Sequence, residues 1–372
     1  MITLGRTLQG ASAGLVGVIV PMYLAECLAP EDRGKGTGMF QLLLTIGLVF
    51  AAVIGLVVTK VVGAADAETV SAASKTTAWQ AIFWCSCVPG IILFFGAMKL
   101  KESPRWLFDK GRKEEALDSL AANNGAEKAK EILAAMIAND EAEKKAKAEL
   151  AASAKGDSIF QKKYIYPFCL AIVILACNQT TGINSVLNYT VKIFQETGLK
   201  GEFANWGDLT IKIINMVMTI IACALVDKKG RKFLLKLGTS GIILGLCGVG
   251  TTFLALQHGW IVPSITTGVI ATACFFLFIA SFAVGPGVCA WLALSELMPA
   301  RIRANGMSIG MIINQGVSAT IASIFPKWVE ATSFATVFYI LAGFTVIYFI
   351  TAAFFLPETK GKTLEEIEAY FK

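Results

Sequence analysis

Residues 176–189 read Ala-Cys-Asn-Gln-Thr-Thr-Gly-Ile-Asn-Ser-Val-Leu-Asn-Tyr. The stretch carries Asn178, Gln179, Thr180, Thr181, Asn184, Asn188 and Tyr189, while its flank from Phe168 to Ala176 is almost wholly apolar. Inside a bilayer each amide or hydroxyl must find a partner or cost roughly 1–2 kcal/mol or more. A helix crowded with neutral hydrogen-bonding groups therefore reads as the lining of something polar. Amides and hydroxyls, without acids or metal ligands, suit a neutral polyol better than an ion.

Composition places that stretch in a membrane protein. Apolar residues make up 55% of the chain, charged residues 16%, and the mean hydropathy is +0.63, outside the soluble norm. Nine segments are long and apolar enough to span a hydrocarbon core of roughly 30 Å. They lie near 5–27, 39–63, 79–99, 164–190, 206–226, 233–255, 261–290, 307–326 and 334–356. The fifth is the weakest, because Lys212 and Asn215 interrupt it. A soluble chain of this length could not wrap nine such helices in a core, so an all-α integral membrane protein is expected.

Charge placement sets the orientation. Arg33 and Lys35 follow the first span, a basic stretch from Lys99 to Lys163 follows the third, and Lys228, Lys229, Arg231, Lys232 and Lys236 follow the fifth. Arg301 and Arg303 follow the seventh, and Lys360 and Lys362 the ninth. The opposite loops hold few cations: Lys60, Lys75, Lys200 and Lys327. Cytoplasmic loops carry the excess of Lys and Arg, so the basic set and the C-terminus are assigned to the cytoplasm and the N-terminus to the outside of the cell membrane. The net charge of +6 follows from this bias, and no nucleic-acid partner is expected. The start, Met-Ile-Thr-Leu-Gly-Arg, has no basic region ahead of a short apolar core and is not a signal peptide. The nine cysteines lie in or at the ends of spans without CxxC spacing and read as packing residues. His258, the one histidine, falls in a short external loop and reads as solvated.

An internal repeat organises the chain. Glu26 precedes Arg33 by seven residues and Gly36 by ten, and Glu296 precedes Arg303 and Gly306 by the same steps. Both stretches close an outside-to-inside span. Three further spans precede the second of these segments and none the first, so roughly a hundred residues and three helices are expected to precede this chain if it is built from parallel halves. The expected divisions are a partial bundle over 1–99, a linker over 100–162, a six-helix bundle over 163–356 and a tail over 357–372. The linker is rich in Ala, Lys and Glu, with apolar residues at Leu117, Leu120, Ile132, Leu133, Met136 and Ile137 and a break at Asn123-Asn124-Gly125. It reads either as short amphipathic helices on the cytoplasmic surface or as a solvated connection.

Seven motifs then carry a family resemblance: Gly5-Arg6; Pro21-Met-Tyr-Leu-Ala-Glu26 with Arg33-Gly34; Glu102-Ser-Pro-Arg-Trp106; Asp227-Lys-Lys-Gly-Arg-Lys232; Gly285-Pro-Gly287 with Trp291; Glu296 to Arg303; and Pro357-Glu-Thr-Lys-Gly361. Over essentially its whole length the chain resembles a sugar porter of the major facilitator superfamily, beginning at what would be the family's fourth helix. The resemblance implies a major facilitator type helix bundle. It implies an ion-pair network of Glu26, Arg33, Glu102, Arg105, Asp227, Arg231, Glu296 and Arg303 latching the cytoplasmic ends of the two halves. Ordinary topology anchoring is the alternative. Individual surface pairs are worth only about 0–1 kcal/mol, which suits a latch that opens in every cycle.

Gly285-Pro286-Gly287 lies inside a span otherwise fit to be continuous. Proline removes a backbone hydrogen bond and glycine eases bending, so this site reads as a hinged gate, with a static kink as the bland alternative. Trp291 could stack on the C–H face of a sugar.

The resemblance also carries over substrate residues. Gln179, Asn184 and Tyr189 match the family's pattern, whereas Asn178 stands where glutamine is usual and Asn188 where tyrosine is usual. Gln41, Asn215 and Asn314 match further sugar-contacting amides; Gln315 replaces a frequent tryptophan and Ala283 a frequent acid. The site is therefore more polar and less aromatic than that of a typical glucose carrier. As an alternative, each amide could be interhelical glue worth about 0.6 kcal/mol. Arg6 matches a fourth-helix arginine thought to interact with a first-helix acid in proton-linked members, and is the coupling candidate. The sequons at Asn178 and Asn188 fall within or at the end of a span and read as fortuitous.

These readings lead to transport of a hexose or pentose by alternating access, with protons as the coupling ion, in a monomeric multi-pass protein that needs no cofactor or metal. A sugar sensor on a carrier fold, or a truncated non-transporting remnant, are the alternatives. With no nucleophile–base pair, phosphate loop or metal cluster in view, an enzyme is not expected.

Overall fold

The computed structural model describes residues 2–27, 33–61, 72–153, 161–199, 202–298, 302–358 and 370–371. Among these are fourteen α-helices and no strand: α1 Ile2–Cys27, α2 Arg33–Val61, α3 Ala72–Ala97, α4 Pro104–Asp109, α5 Lys113–Asn124, α6 Ala126–Ser153, α7 Lys162–Thr180, α8 Ile183–Glu196, α9 Glu202–Lys229, α10 Arg231–Gln257, α11 Ile265–Val284, α12 Pro286–Leu297, α13 Arg303–Ala331 and α14 Phe334–Ile350. A π-helical turn, Thr351–Phe355, continues α14. Nine spans among the described residues are long and apolar enough to cross a membrane, so the all-α, nine-span reading holds. Two of them, Tyr164–Glu196 and Ile265–Trp291, are each assembled from two helices.

The chain packs as two compact units, Met1–Leu44 with Trp84–Ser158, and Thr45–Phe83 with Ile159–Lys372. In the first, the C-terminal end of α1 is tied to the segment that follows α3. The Tyr23 hydroxyl donates to the Lys101 carbonyl at 2.8 Å, and the Asn124 side-chain amide donates to the Cys27 carbonyl at 2.9 Å. Beneath these contacts Leu120, Ala129, Ile132 and Met136 form a small buried core. The break expected at Asn123-Asn124-Gly125 is present, with Gly125 at φ +83° ending α5. Where short helices were expected, α6 runs for 28 residues. No Gly or Pro interrupts it, and its Ala, Glu and Lys residues are strong helix formers. Every residue of α1 from Ile2 to Leu15 is exposed.

The second unit has a dense interior. Helix α10 packs on α11 and α14, α7 on α12, α13 and α14, and α9 on α8 and α11. One core gathers Leu175, Leu234, Cys289 and Tyr348; the other gathers Phe194, Phe275, Phe278 and Phe338. Glycines on α10 set the approach of α11. A Cβ on Gly245 would lie 2.8 Å from the Phe278 nitrogen and 2.9 Å from the Cys274 carbonyl, and one on Gly238 would lie 2.7 Å from the Ser281 carbonyl. Membrane helices lack a hydrophobic drive to associate and rely on such close backbone contact. Gly245→Leu is expected to push α11 away and to lower the thermal midpoint of the detergent-solubilised protein, by an overpacking cost of about 1–3 kcal/mol. Gly250→Ala, whose Cβ would sit at an ordinary 3.4 Å from the Tyr339 ring, is the control. Equal melting of both variants and the parent would contradict this packing.

Candidate substrate site

The polar stretch that opened the sequence reading lies at a break in a membrane span. Helix α7 ends at Thr180, and the Thr181 hydroxyl donates back to the Asn178 carbonyl at 2.8 Å. Gly182 then takes φ +77°, ψ +13°, and α8 begins at Ile183. This left-handed conformation is one that side-chain-bearing residues rarely adopt. It is closely packed as well, because a Cβ there would approach Leu341 Cδ1 to 2.6 Å.

Across the break the amides form a chain. Asn184 Nδ2 donates to Gln179 Oε1 at 2.9 Å, Gln179 Nε2 donates to Asn314 Oδ1 at 3.1 Å, and Asn314 Nδ2 donates to the Leu175 carbonyl at 2.9 Å. Asn184 Nδ2 also donates to Ser318 Oγ at 2.8 Å. Gln179 and Asn314 are buried, whereas Asn184 is exposed at the end of the chain. One end of the network is thus locked in protein and the other is open. Amides held in this way can offer donors and acceptors to a polyhydroxylated guest without reorganising.

The other expected site residues are placed as follows. Asn178 is buried, and its Oδ1 has no hydrogen-bond partner among the described residues. Asn188 is exposed on α8, and Tyr189, half-buried, stacks on Phe325 at 5.4 Å between ring centroids. Asn215 is half-buried on α9, and Trp291 packs against the core that holds Leu175 and Cys289. In the first unit, Arg6 is exposed on α1 and donates to Gln9 Oε1 at 3.2 Å. The side chain of Gln41 lies outside the described residues.

The structure breaks the Ile265–Trp291 span at Gly285, with φ −106° and ψ −92°. Pro286 opens α12 at its first position, where a proline costs no intrahelical hydrogen bond. Gly285 and Gly238 are pressed together, since a Cβ on Gly285 would lie 2.8 Å from the Gly238 Cα.

Of the charges expected to form the latch, the side chains of Arg33, Asp227, Glu296 and Arg303 lie outside the described residues. Glu26 accepts from Ser103 Oγ at 2.5 Å, and Ser103 also caps α4 by accepting from the Trp106 nitrogen. Glu102 and Arg105 are exposed. The Arg231 backbone nitrogen donates to Glu358 Oε1 at 3.1 Å, at the first turn of α10, where the helix dipole favours a carboxylate. Ser103 and Glu358 fall within motifs quoted from the sequence but were given no partner there, and Ser318 was not singled out. Ser318 had a signal, since it lies four residues after Asn314 and so one turn away on the same face.

Two interrupted membrane helices, one of them carrying a chain of amides, fit a polytopic carrier. The family described as "Sugar (and other) transporter" matches residues 1–371, and the chain belongs to it. The "Major myo-inositol transporter IolT" of Bacillus subtilis is 29% identical over 99% of this chain and 74% of its own. "Probable polyol transporter 3" of Arabidopsis thaliana is 28% identical over 100% of this chain and 73% of its own. Among solved structures, the proton:xylose symporter XylE bound to 6-bromo-6-deoxy-D-glucose superposes with a TM-score of 0.68 at 26% identity, covering 95% of this chain and 70% of that one. The major facilitator assignment and the multi-pass membrane placement therefore stand.

Proposed function

We propose that this chain carries a neutral monosaccharide or a cyclic polyol across the cell membrane by alternating access, in symport with protons. The observation that carries this reading is the chain of amides from Asn184 through Gln179 to Asn314, anchored on the Leu175 carbonyl at a broken helix. Hydroxyl-rich guests need paired donors and acceptors, and a site built to bond them rejects analogues that lack them. The relatives named for polyols and myo-inositol, and the xylose symporter, support the substrate class; the symporter also supports the coupling. In this reading Gln41, Asn178, Asn188, Tyr189, Asn215 and Trp291 complete the sugar site, Arg6 serves proton coupling, and Gly285-Pro286-Gly287 is the hinge. The cytoplasmic acids and arginines form the latch. Segments 1–99 and 163–356 are the transmembrane bundles, 100–162 is the cytoplasmic linker, and the C-terminus is cytoplasmic. The protein acts as a monomer.

Asn184 is exposed and joins the network through its side-chain amide, so Asn184→Ala separates recognition from folding. In liposomes under an inward proton gradient, uptake of labelled xylose and myo-inositol should fall at least about tenfold, the equivalent of roughly 1.4 kcal/mol. The melting temperature should move little. Unchanged uptake would remove the site assignment, and sugar addition without proton movement would replace symport by facilitated diffusion.

A further inference from the structure

The segment that follows α3 is held against the ends of two membrane spans. These spans, Ile2–Leu24 and Thr76–Ala97, lie in α1 and α3. Tyr23, near the end of the first, donates its hydroxyl to the carbonyl of Lys101, four residues past the second. Glu26 is two residues past Leu24, about 3 Å further along the helix. It accepts from the Ser103 hydroxyl, which also caps α4. Residues 98–106 therefore start where hydrocarbon gives way to the headgroup layer, roughly 5–8 Å deep on each side. Helix α4 has six residues and extends about 9 Å at most, so it stays within or beside that layer.

The side chains suit that depth. Helix α4 packs on α5 with Pro104 and Leu107 buried, and it leaves Trp106 45% exposed. Met98 and Leu100, in the turn that leaves α3, are each 60% exposed. Lys110 Nζ lies 5.9 Å from the centroid of the Trp106 ring, and Lys113 Nζ lies 5.9 Å from that of Phe108. Lys99 is exposed as well. None of Lys99, Lys110 and Lys113 has an acid partner among the described residues. From Lys99 to Lys113 six cations face two acids, Glu102 and Asp109. The next acids, Glu114 and Glu115, open α5, where the helix dipole favours them, and Glu115 is taken by Arg112.

We propose that Lys99, Trp106, Lys110 and Lys113 form a headgroup site for an anionic phospholipid. The proposal rests on the reading of 100–162 as the cytoplasmic linker, which makes the inner leaflet the source of that lipid. Lysines just beyond a span are drawn to anionic lipid, each raising affinity about fivefold. Ammonium groups bond a phosphate oxygen with charge assistance, and an indole prefers the headgroup level, where its apolar body and polar edge are both satisfied. A lysine over an aromatic face keeps its charge without a competing anion, so Lys110 and Lys113 are left for a phosphate. The exposed Met98 and Leu100 select a lipid over a soluble polyanion, because only a lipid offers an acyl chain beside its phosphate.

The test is lipid retention by the full chain in detergent, read by native mass spectrometry, with phosphatidylglycerol set against phosphatidylcholine of the same acyl chains. The parent should hold phosphatidylglycerol more tightly by on the order of a hundredfold, three cations at about fivefold each. Added salt should erode that preference, because exposed charges are screened. Lys99→Gln, Lys110→Gln and Lys113→Gln together should bring the two lipids close to parity, whereas arginine at the same three positions should keep them apart. If the triple glutamine variant folds poorly, each single variant reads a step of about fivefold instead. Equal retention of both lipids by the parent overturns the site, as does a preference that survives glutamine at all three positions. Excess inorganic phosphate should leave the bound lipid in place, and its displacement would overturn the lipid assignment. Sugar uptake in liposomes is scored separately. A lipid preference without uptake supports the site and counts against the proposed function, and uptake without a preference does the reverse.

Discussion

Asn314→Leu is expected to reduce sugar uptake by two orders of magnitude or more. Asn314 is fully buried and makes two bonds of opposite sense, accepting from Gln179 and donating to the Leu175 carbonyl. Leucine fills the same space with no polar group. Gln179 would keep its bond from Asn184 but lose the acceptor that fixes its orientation. An orphaned buried donor costs about 1–3 kcal/mol, so Gln179 would rotate towards other partners and carry Asn184 with it. The loss is directed at function, because interhelical hydrogen bonds in membranes average about 0.6 kcal/mol, and the bundle should still fold. The measurement pairs liposome uptake with thermal melting. Near-parental uptake would show that the network is interhelical glue only, and collapse of both would show that it is a folding element.

Gly182→Val is expected to produce a comparable loss by another route. At φ +77° a β-branched residue is strained by roughly 1–2 kcal/mol or more, and its Cβ would start 2.6 Å from Leu341 Cδ1. Leu341 is itself fully buried, so it has little room to yield. The chain would relieve the strain by leaving the left-handed conformation, and the turn between α7 and α8 would change. Because Asn184 follows Gly182 by two residues, its amide would move away from Gln179 and Ser318. Uptake should fall at least about tenfold, with Gly182→Ala lying between the parent and the valine variant. Parental uptake in Gly182→Val would mean that the break has no part in the site.

Much of this was legible in one dimension because the bilayer is a simple solvent. It forbids unpaired backbone, so each long apolar run has to be a helix, and the segment containing Lys212 and Asn215 held as a span despite them. The residue types at 178, 179, 184 and 314 marked the candidate site, since amides inside such runs need a reason to be there. The partners were harder to see. Gln179 and Asn314 lie 135 residues apart, and nothing in either segment specifies that contact. Glu358 meets the start of α10 across 127 residues for the same reason.

Local chemistry, then, determined the number of spans, their apolar faces, the breaks promised by Gly285-Pro286-Gly287 and the polar character of residues 178–189. These depend on short-range backbone rules and on transfer from water to lipid, both read residue by residue. Tertiary structure alone decided that the polar span breaks at Gly182 and that the glycines of α10 admit α11 to backbone contact. It alone joined Asn184, Gln179 and Asn314 in one chain of amides and set the buried Asp208, paired with the half-buried Lys212, on a packed face of α9. Each of these depends on which helix lies alongside which, and that is settled by packing between segments far apart in sequence.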